Sequence, residues 1–343
     1  MSMCSRFSIK LQQKKKHELT RQLLSPTLYL VFFFFFFFIA LQIFTQRFRT
    51  MSDPRSLIAE AEKLLKPQLG FFLFLSGSSS SMRKEDATDL YIQAANLYRL
   101  LKDFNQAGAQ FVKAAEIQES LGNHNDCANH LVEAYKCFKG VSPSDAISAL
   151  SKAIHIFLTQ NGQFRRAANF TMDLAELYES VNDNESAAKS YEQAGDYFTT
   201  DHAEALANKA FLKCADLFAL DGNYKKAVEL YDNIIKNLLG NSLSRWSLKD
   251  HFFKVILCVL CMDDVIEANK RTDQFLQDDP SWAQSREYKL VQGILDSIDQ
   301  GDVEGFSDKV FDYDQFSKLD KLKTQLLLKV KNSVVAKDDD DLL

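Results

Sequence analysis

The chain has 343 residues, of which 46% are hydrophobic, while only 12 are glycine and 5 are proline. So few chain-breaking residues leave little room for a turn-rich β fold, and the length suits one long helical array or two ordinary domains. The formal net charge of −5 lies on the acidic side, which argues against general nucleic-acid binding.

Residues 1–50 obey their own rules. They carry 8 Lys+Arg against one Glu, so the remainder of the chain holds 33 basic and 45 acidic side chains, net −12. Seven consecutive phenylalanines, Phe32 to Phe38, sit in an apolar run over 28–44 that Gln42 interrupts. A spanning helix wants about 20 apolar residues, and the basic residues on both flanks give no orientation. The bulky, basic Thr45 to Arg49 is no signal-peptidase site. The expectation is that Met51 is the working start and 1–50 is spurious upstream translation, with a membrane anchor as the alternative.

A helix is predicted directly after Met51. Ser52 or Asp53 can cap it and Pro54 suits the first turn, ahead of the apolar pattern Leu57, Ile58, Ala61, Leu64 and Leu65. An apolar loop is predicted over 70–81, where Phe71, Phe72, Leu73, Phe74 and Leu75 lie between Gly70 and the polar run Ser76 to Ser81. Such a tip either folds back onto the protein or enters a bilayer interface, where each buried large side chain is worth about 1.5–3 kcal/mol.

From there a beat sets in. Ala107, Ala128, Ala146, Ala167, Ala187, Ala207 and Ala227 recur at intervals of 18 to 21 on amphipathic patterns. A period near 20 is one helix with its turn, so a period near 40 is a hairpin that must stack on its neighbours to bury its apolar face. In GNYKKAVELY, residues 222–231, glycine ends the preceding helix and Tyr224, Ala227 and Tyr231 share one face. GQFRRAANF at 162–170 repeats the frame. The chain reads as an α-solenoid.

Basic residues in this acidic body mark a candidate binding stripe: Arg165 with Arg166, and Lys209 with Lys213, four apart on one helical face. The bland reading is a solvated face; the functional one is a surface for an elongated acidic partner. Five of the six cysteines lie on apolar helical patterns, which reads as a reducing environment, and the lone C-x-x-C of Cys258 and Cys261 lacks the second pair a zinc site would need. Neither metal nor cofactor is expected. No phosphate loop, H-E-x-x-H or nucleophile elbow is present, so no enzyme activity is expected. The chain ends with four aspartates and then Leu342 and Leu343; apolar side chains at that end have a purpose if a partner buries them.

Taken together, MSDP at 51–54, GFFLFLSGS at 70–78, EAYKCFK at 133–139, GQFRRAANF, NKAFLKCADL at 208–217, RWSLKD at 245–250, QSREYKL at 284–290 and the DDLL end resemble the soluble NSF attachment protein (alpha-SNAP) family, in its fungal form, over all of 51–343. The resemblance implies an all-α fold, a right-handed solenoid of TPR-like helical hairpins over 51–285 closed by a C-terminal helical bundle over 286–343. It implies an adaptor that binds the four-helix bundle of syntaxin-type SNAREs after fusion, recruits the hexameric NSF ATPase and stimulates disassembly.

By the same resemblance, Lys209, Lys213, Arg165 and Arg166 face the SNAREs, although Asn169 stands where animal forms have lysine. Residues Phe71 to Leu75 touch the membrane. Asp263, Asp296, Asp299, Asp340 and Asp341 dock on NSF, with Gln300 in place of an acid, and Leu342 with Leu343 stimulates the ATPase. The implied location is cytoplasmic, peripheral on the cytosolic face of endomembranes (ER, Golgi, vacuole). The rival reading is a TPR-type co-chaperone scaffold that grips an acidic peptide.

Overall fold

The computed structural model describes residues 53–66, 79–160, 162–240 and 247–341, with side chains described as far as Ala336. The leader 1–50, the apolar residues Phe71 to Leu75, and Leu342 and Leu343 lie outside them. Among the described residues the secondary structure is helical throughout: α1 Pro54–Leu65, α2 Ser80–Leu100, α3 Phe104–Ser120, α4 His124–Phe138, α5 Pro143–Thr159, α6 Phe164–Ser180, α7 Asn184–Thr200, α8 Glu204–Leu220, α9 Tyr224–Leu239, α10 Leu248–Leu260, α11 Val265–Asp278, a 3-10 turn Pro280–Gln284, α12 Arg286–Gln300, α13 Val303–Phe316 and α14 Lys321–Asp341. From α1 to α11 each helix packs on the next, as a hairpin array must.

The start signals act as expected. Asp53 accepts from the Arg55 amide, Pro54 opens α1, and Leu57 and Ala61 are buried. Ser79 caps α2 through the Met82 amide at 3.1 Å, so Ser80 and Ser81, expected in the loop, belong to that helix.

One turn recurs along the array. A residue with left-handed backbone precedes the N-caps of α3, α4, α6, α7, α8, α9, α11 and α13: Lys102, Gly122, Gly162, Asn182, His202, Gly222, Asp263 and Gly301. In most of these turns the N-cap amide returns to a carbonyl five residues back, as in Asp103 to Tyr98, Asp183 to Tyr178 and Asn223 to Phe218. This closes the preceding helix and starts the next within three residues.

Six of the seven beat alanines stand four residues after their cap, where the amide donates to the cap carbonyl, as Ala107 does to Asp103 and Ala227 to Asn223. All seven are essentially inaccessible. In α4, however, that first-turn slot belongs to Cys127, whose amide donates to Asn123, and Ala128 is buried one residue later. The uneven spacing read from the sequence thus conceals a more regular structural one.

Glycine inside α3 and α7 allows the closest helix approaches. A Cβ on Gly108 would lie 2.6 Å from the Phe138 ring, and one on Gly195 would lie 2.5 Å from that of Phe211. Ion pairs then tie next-but-one helices: Arg99 to Glu133 and Lys226 to Glu192, each at 3.1 Å, and Arg271 to Asp232 at 3.0 Å.

The array changes character at α10. Apart from Lys249 and Asp250, every residue of α10 is buried, so this helix is surrounded rather than amphipathic. Phe252 stacks on Phe275 at 4.2 Å and meets the edge of the fully buried Trp282 at 5.6 Å. A single apolar cluster runs from Ala175 to Val330, and α14 returns to pack on both α8 and α10.

Candidate functional site

Helix α8 carries the exposed lysine pair. Ala207, Ala210, Cys214, Ala215 and Leu217 face inward, and the helical period leaves Lys209 and Lys213 outward in the second and third turns. Neither lysine has an ion-pair partner among the described residues. Two like charges four apart on one face repel by a few tenths of a kcal/mol, a strain that an anionic partner would relieve.

The arginines stand differently. Arg165 and Arg166 occupy the first turn of α6, one and two turns away from the level of the lysines on α8. Arg165 pairs with Asp201 at the end of α7. Arg166 donates to Asn129 of α4 at 2.8 Å and to Gln163 at 3.0 Å, and its guanidinium lies 4.2 Å from the centre of the Phe157 ring. Both therefore cross-tie neighbouring helices. Counted from the caps, the α6 residues that match Lys209 and Lys213 are Asn169 and Asp173. Asn169 bonds the Arg165 carbonyl at 2.9 Å, and burial pushes the Asp173 carboxyl above its ordinary range against the pull of Lys139. The basic character of this face is concentrated on α8.

The acidic candidates fall on the C-terminal part. Asp263 is exposed in the turn between α10 and α11 with φ of 60°, and Asp296 and Asp299 are exposed, three apart, on α12 beside the exposed Gln300. Asp340 and Asp341 are the last residues of α14.

A polar cluster that the sequence reading passed over joins α8, α10 and α14. Lys254, in the middle of α10, has a side chain only 6% exposed; its Nζ lies 2.9 Å from Asp216 of α8 and 3.7 Å from Asp250. The Tyr231 hydroxyl donates to the same Asp216 at 2.6 Å. Lys323, in the first turn of α14, pairs with Asp250 and, at 3.2 Å, with Asp320. Charge-assisted bonds to Asp250 and Asp320 outweigh burial and hold the Lys323 ammonium above its ordinary pKa. His251 is buried alongside with Nδ1 unpartnered, and desolvation lowers its pKa. The available signal was one lysine inside the otherwise apolar run FFKVILCVL: a buried charge needs partners. Those partners lie 38 and 4 residues away, and nothing in the run itself identifies them.

The thiols of Cys258 and Cys261 are buried, and burial pushes both up, that of Cys261 to about 12. Reactive thiolates have lowered pKa values, so these two behave as core residues.

Comparison with known proteins agrees with the helical architecture and adds a family. The family model described as "Soluble NSF attachment protein, SNAP" matches residues 52–335. The vesicular-fusion protein SEC17 of Komagataella phaffii is 45% identical over 295 residues, 85% of this chain and 98% of its own length. The alpha-soluble NSF attachment protein of Saccharomyces cerevisiae is 44% identical over 292 residues, 84% and 99% of the two chains. The human alpha-soluble NSF attachment protein is 34% identical over 290 residues, 84% and 97%.

Proposed function

The chain belongs to the soluble NSF attachment protein family, and on that premise we propose that it is an adaptor in vesicle traffic and membrane fusion. It binds the post-fusion SNARE four-helix bundle, recruits the NSF ATPase and stimulates it to take the bundle apart. It contributes surfaces and geometry and performs no chemistry of its own. It works peripherally on the cytosolic face of endomembranes such as ER, Golgi and vacuole.

The unpaired Lys209 and Lys213 on α8 carry the proposal for bundle binding, because an acidic helical partner would supply the counter-charges that the fold withholds. Arg165 and Arg166 flank that surface from α6, with part of their hydrogen-bonding capacity already engaged. Phe71 to Leu75 provide the reversible bilayer contact. Asp263, Asp296, Asp299, Asp340 and Asp341 offer acidic docking points for the ATPase, and Leu342 with Leu343 engages it once docked. The solenoid to 285 serves as the bundle-binding unit and 286–343 as the ATPase-facing unit.

The experiment is Lys209→Glu with Lys213→Glu, assayed by pull-down on soluble SNARE bundles at about 50 mM and 300 mM salt. Screening lengths near 10 Å at 0.1 M make the loss larger at low salt. Wild-type binding by the double variant at both salts would remove these lysines from the interface.

A further inference from the structure

We propose that Lys254 and Lys323, with Asp216, Asp250 and Asp320, form a positioning lock that fixes the angle of α14 to the bundle-facing helix α8, so that the chain's acidic, apolar end is presented to the ATPase in one place. This rests on the function proposed above and names the residues that join its two ends.

The reasoning begins with the path. Lys213 points outward from α8, and three residues later Asp216 points inward to Lys254. Lys254 and Lys323 share Asp250, and Lys323 stands in the first turn of α14. The cluster therefore touches the helix that carries the basic pair and the helix that carries the tail, through one intermediate helix. Cys261, at the far end of α10, adds a bond to the Leu326 carbonyl at 3.4 Å. The first turns of α14 are thus held at both ends of α10.

Next comes leverage. At 1.5 Å per residue, the helix from Lys323 to Asp341 is a rod of about 27 Å. A tilt of about 10° at its base would move its tip by roughly 5 Å, more than a hydrogen bond or a seated leucine tolerates. Apolar contacts alone constrain such an angle loosely, because they are non-directional. Charge pairs are directional: the Lys254 and Lys323 side chains are 6% and 12% exposed while their partners Asp250 and Asp320 reach solvent at 41% and 51%, so a misplaced base leaves a largely buried ammonium without its counter-charge, which is disfavoured. Lys323 is a positioning residue here, since it acts through the angle of α14 and touches neither proposed partner.

The test uses the whole chain with Lys323→Gln and the charge-preserving Lys323→Arg. Both variants keep a long polar side chain at this position and leave the buried Leu322, Leu326, Leu327 and Val330 of α14 unchanged, and a cooperative thermal melt of each variant checks that the core is retained. Without any partner, amide exchange over residues 321–336 is expected to speed up by about tenfold in Lys323→Gln while α8 is unchanged, and to return to within about twofold in Lys323→Arg. In the functional assay, soluble-bundle binding and ATPase recruitment stay within about twofold, while NSF-driven disassembly slows by at least about fivefold in Lys323→Gln and recovers in Lys323→Arg. Unchanged exchange in α14, or wild-type disassembly by Lys323→Gln, overturns the lock. A disassembly loss fully accounted for by weaker bundle binding does the same. Failure of the wild-type chain to bind bundles or stimulate NSF would refute the adaptor function instead, and the exchange comparison alone would then decide for or against the lock.

Discussion

Gly108→Ala tests the packing of the array at one of its two closest helix approaches. The new Cβ would lie 2.6 to 2.8 Å from three atoms of the Phe138 ring, which is itself buried at the end of α4. Ordinary carbon contacts sit near 3.5–4.0 Å, so the ring or the helix must move by about 1 Å. Overpacking of this kind costs about 1–3 kcal/mol. Replacing glycine by alanine within a helix returns about 1 kcal/mol, leaving a net loss of up to about 2 kcal/mol. Gly293→Ala is the control: the atoms nearest its Cβ are the Lys309 Cγ, Cδ and Cβ, at 3.1, 3.2 and 3.6 Å, and that flexible chain can swing aside, so most of the propensity gain should survive. Urea unfolding followed by circular dichroism is expected to rank Gly293→Ala above wild type and Gly108→Ala below it. Adding Phe138→Leu to Gly108→Ala should cost less than the two single changes summed, because the shared clash is gone. A Gly108→Ala protein as stable as wild type, with additive behaviour in the double variant, would refute the close-approach reasoning.

Phe71, Phe72 and Phe74 replaced by serine should leave the melting temperature unchanged and lower disassembly of liposome-anchored SNAREs while sparing soluble bundles; flotation with both substrates is the check, and equal losses would contradict the membrane role. Leu342→Ala with Leu343→Ala should preserve NSF co-precipitation and reduce stimulated phosphate release, which measuring both on one sample decides. His251 is buried with its pKa lowered below 6.5, so the unfolded chain binds a proton that the folded one refuses. Its contribution is intact above about pH 6.5 and is lost as pH falls toward the folded pKa. Thermal melts between about pH 7.5 and 5.5 should show that decline, and His251→Gln should flatten it.

Repeat phase, helix starts and the inward alanines were legible in the sequence, because they follow from a local 3.6-residue period and from caps within three residues of the groups they satisfy. Asp53, Ala107, Ala167, Ala227 and the outward lysines of α8 are of this kind. Cys127 marks the limit even there: it fills the slot that a search for alanine assigned to Ala128, since the slot requires a small buried side chain rather than alanine itself. What the sequence left open depends on which helix lies beside which. Arg165 and Arg166 read as free basic charge, and only stacking brings Asp201 and Asn129, 36 and 37 residues away, against them. Gly108 reads as a weak point in α3 until Phe138 fills the space it leaves. Lys254 reads as an exception in an apolar run, and its meaning waits on Asp216 from α8 and on the Asp250 it shares with Lys323 of α14. A local pattern can demand that a buried charge be paired, but only the packing of helices distant in sequence determines the partner.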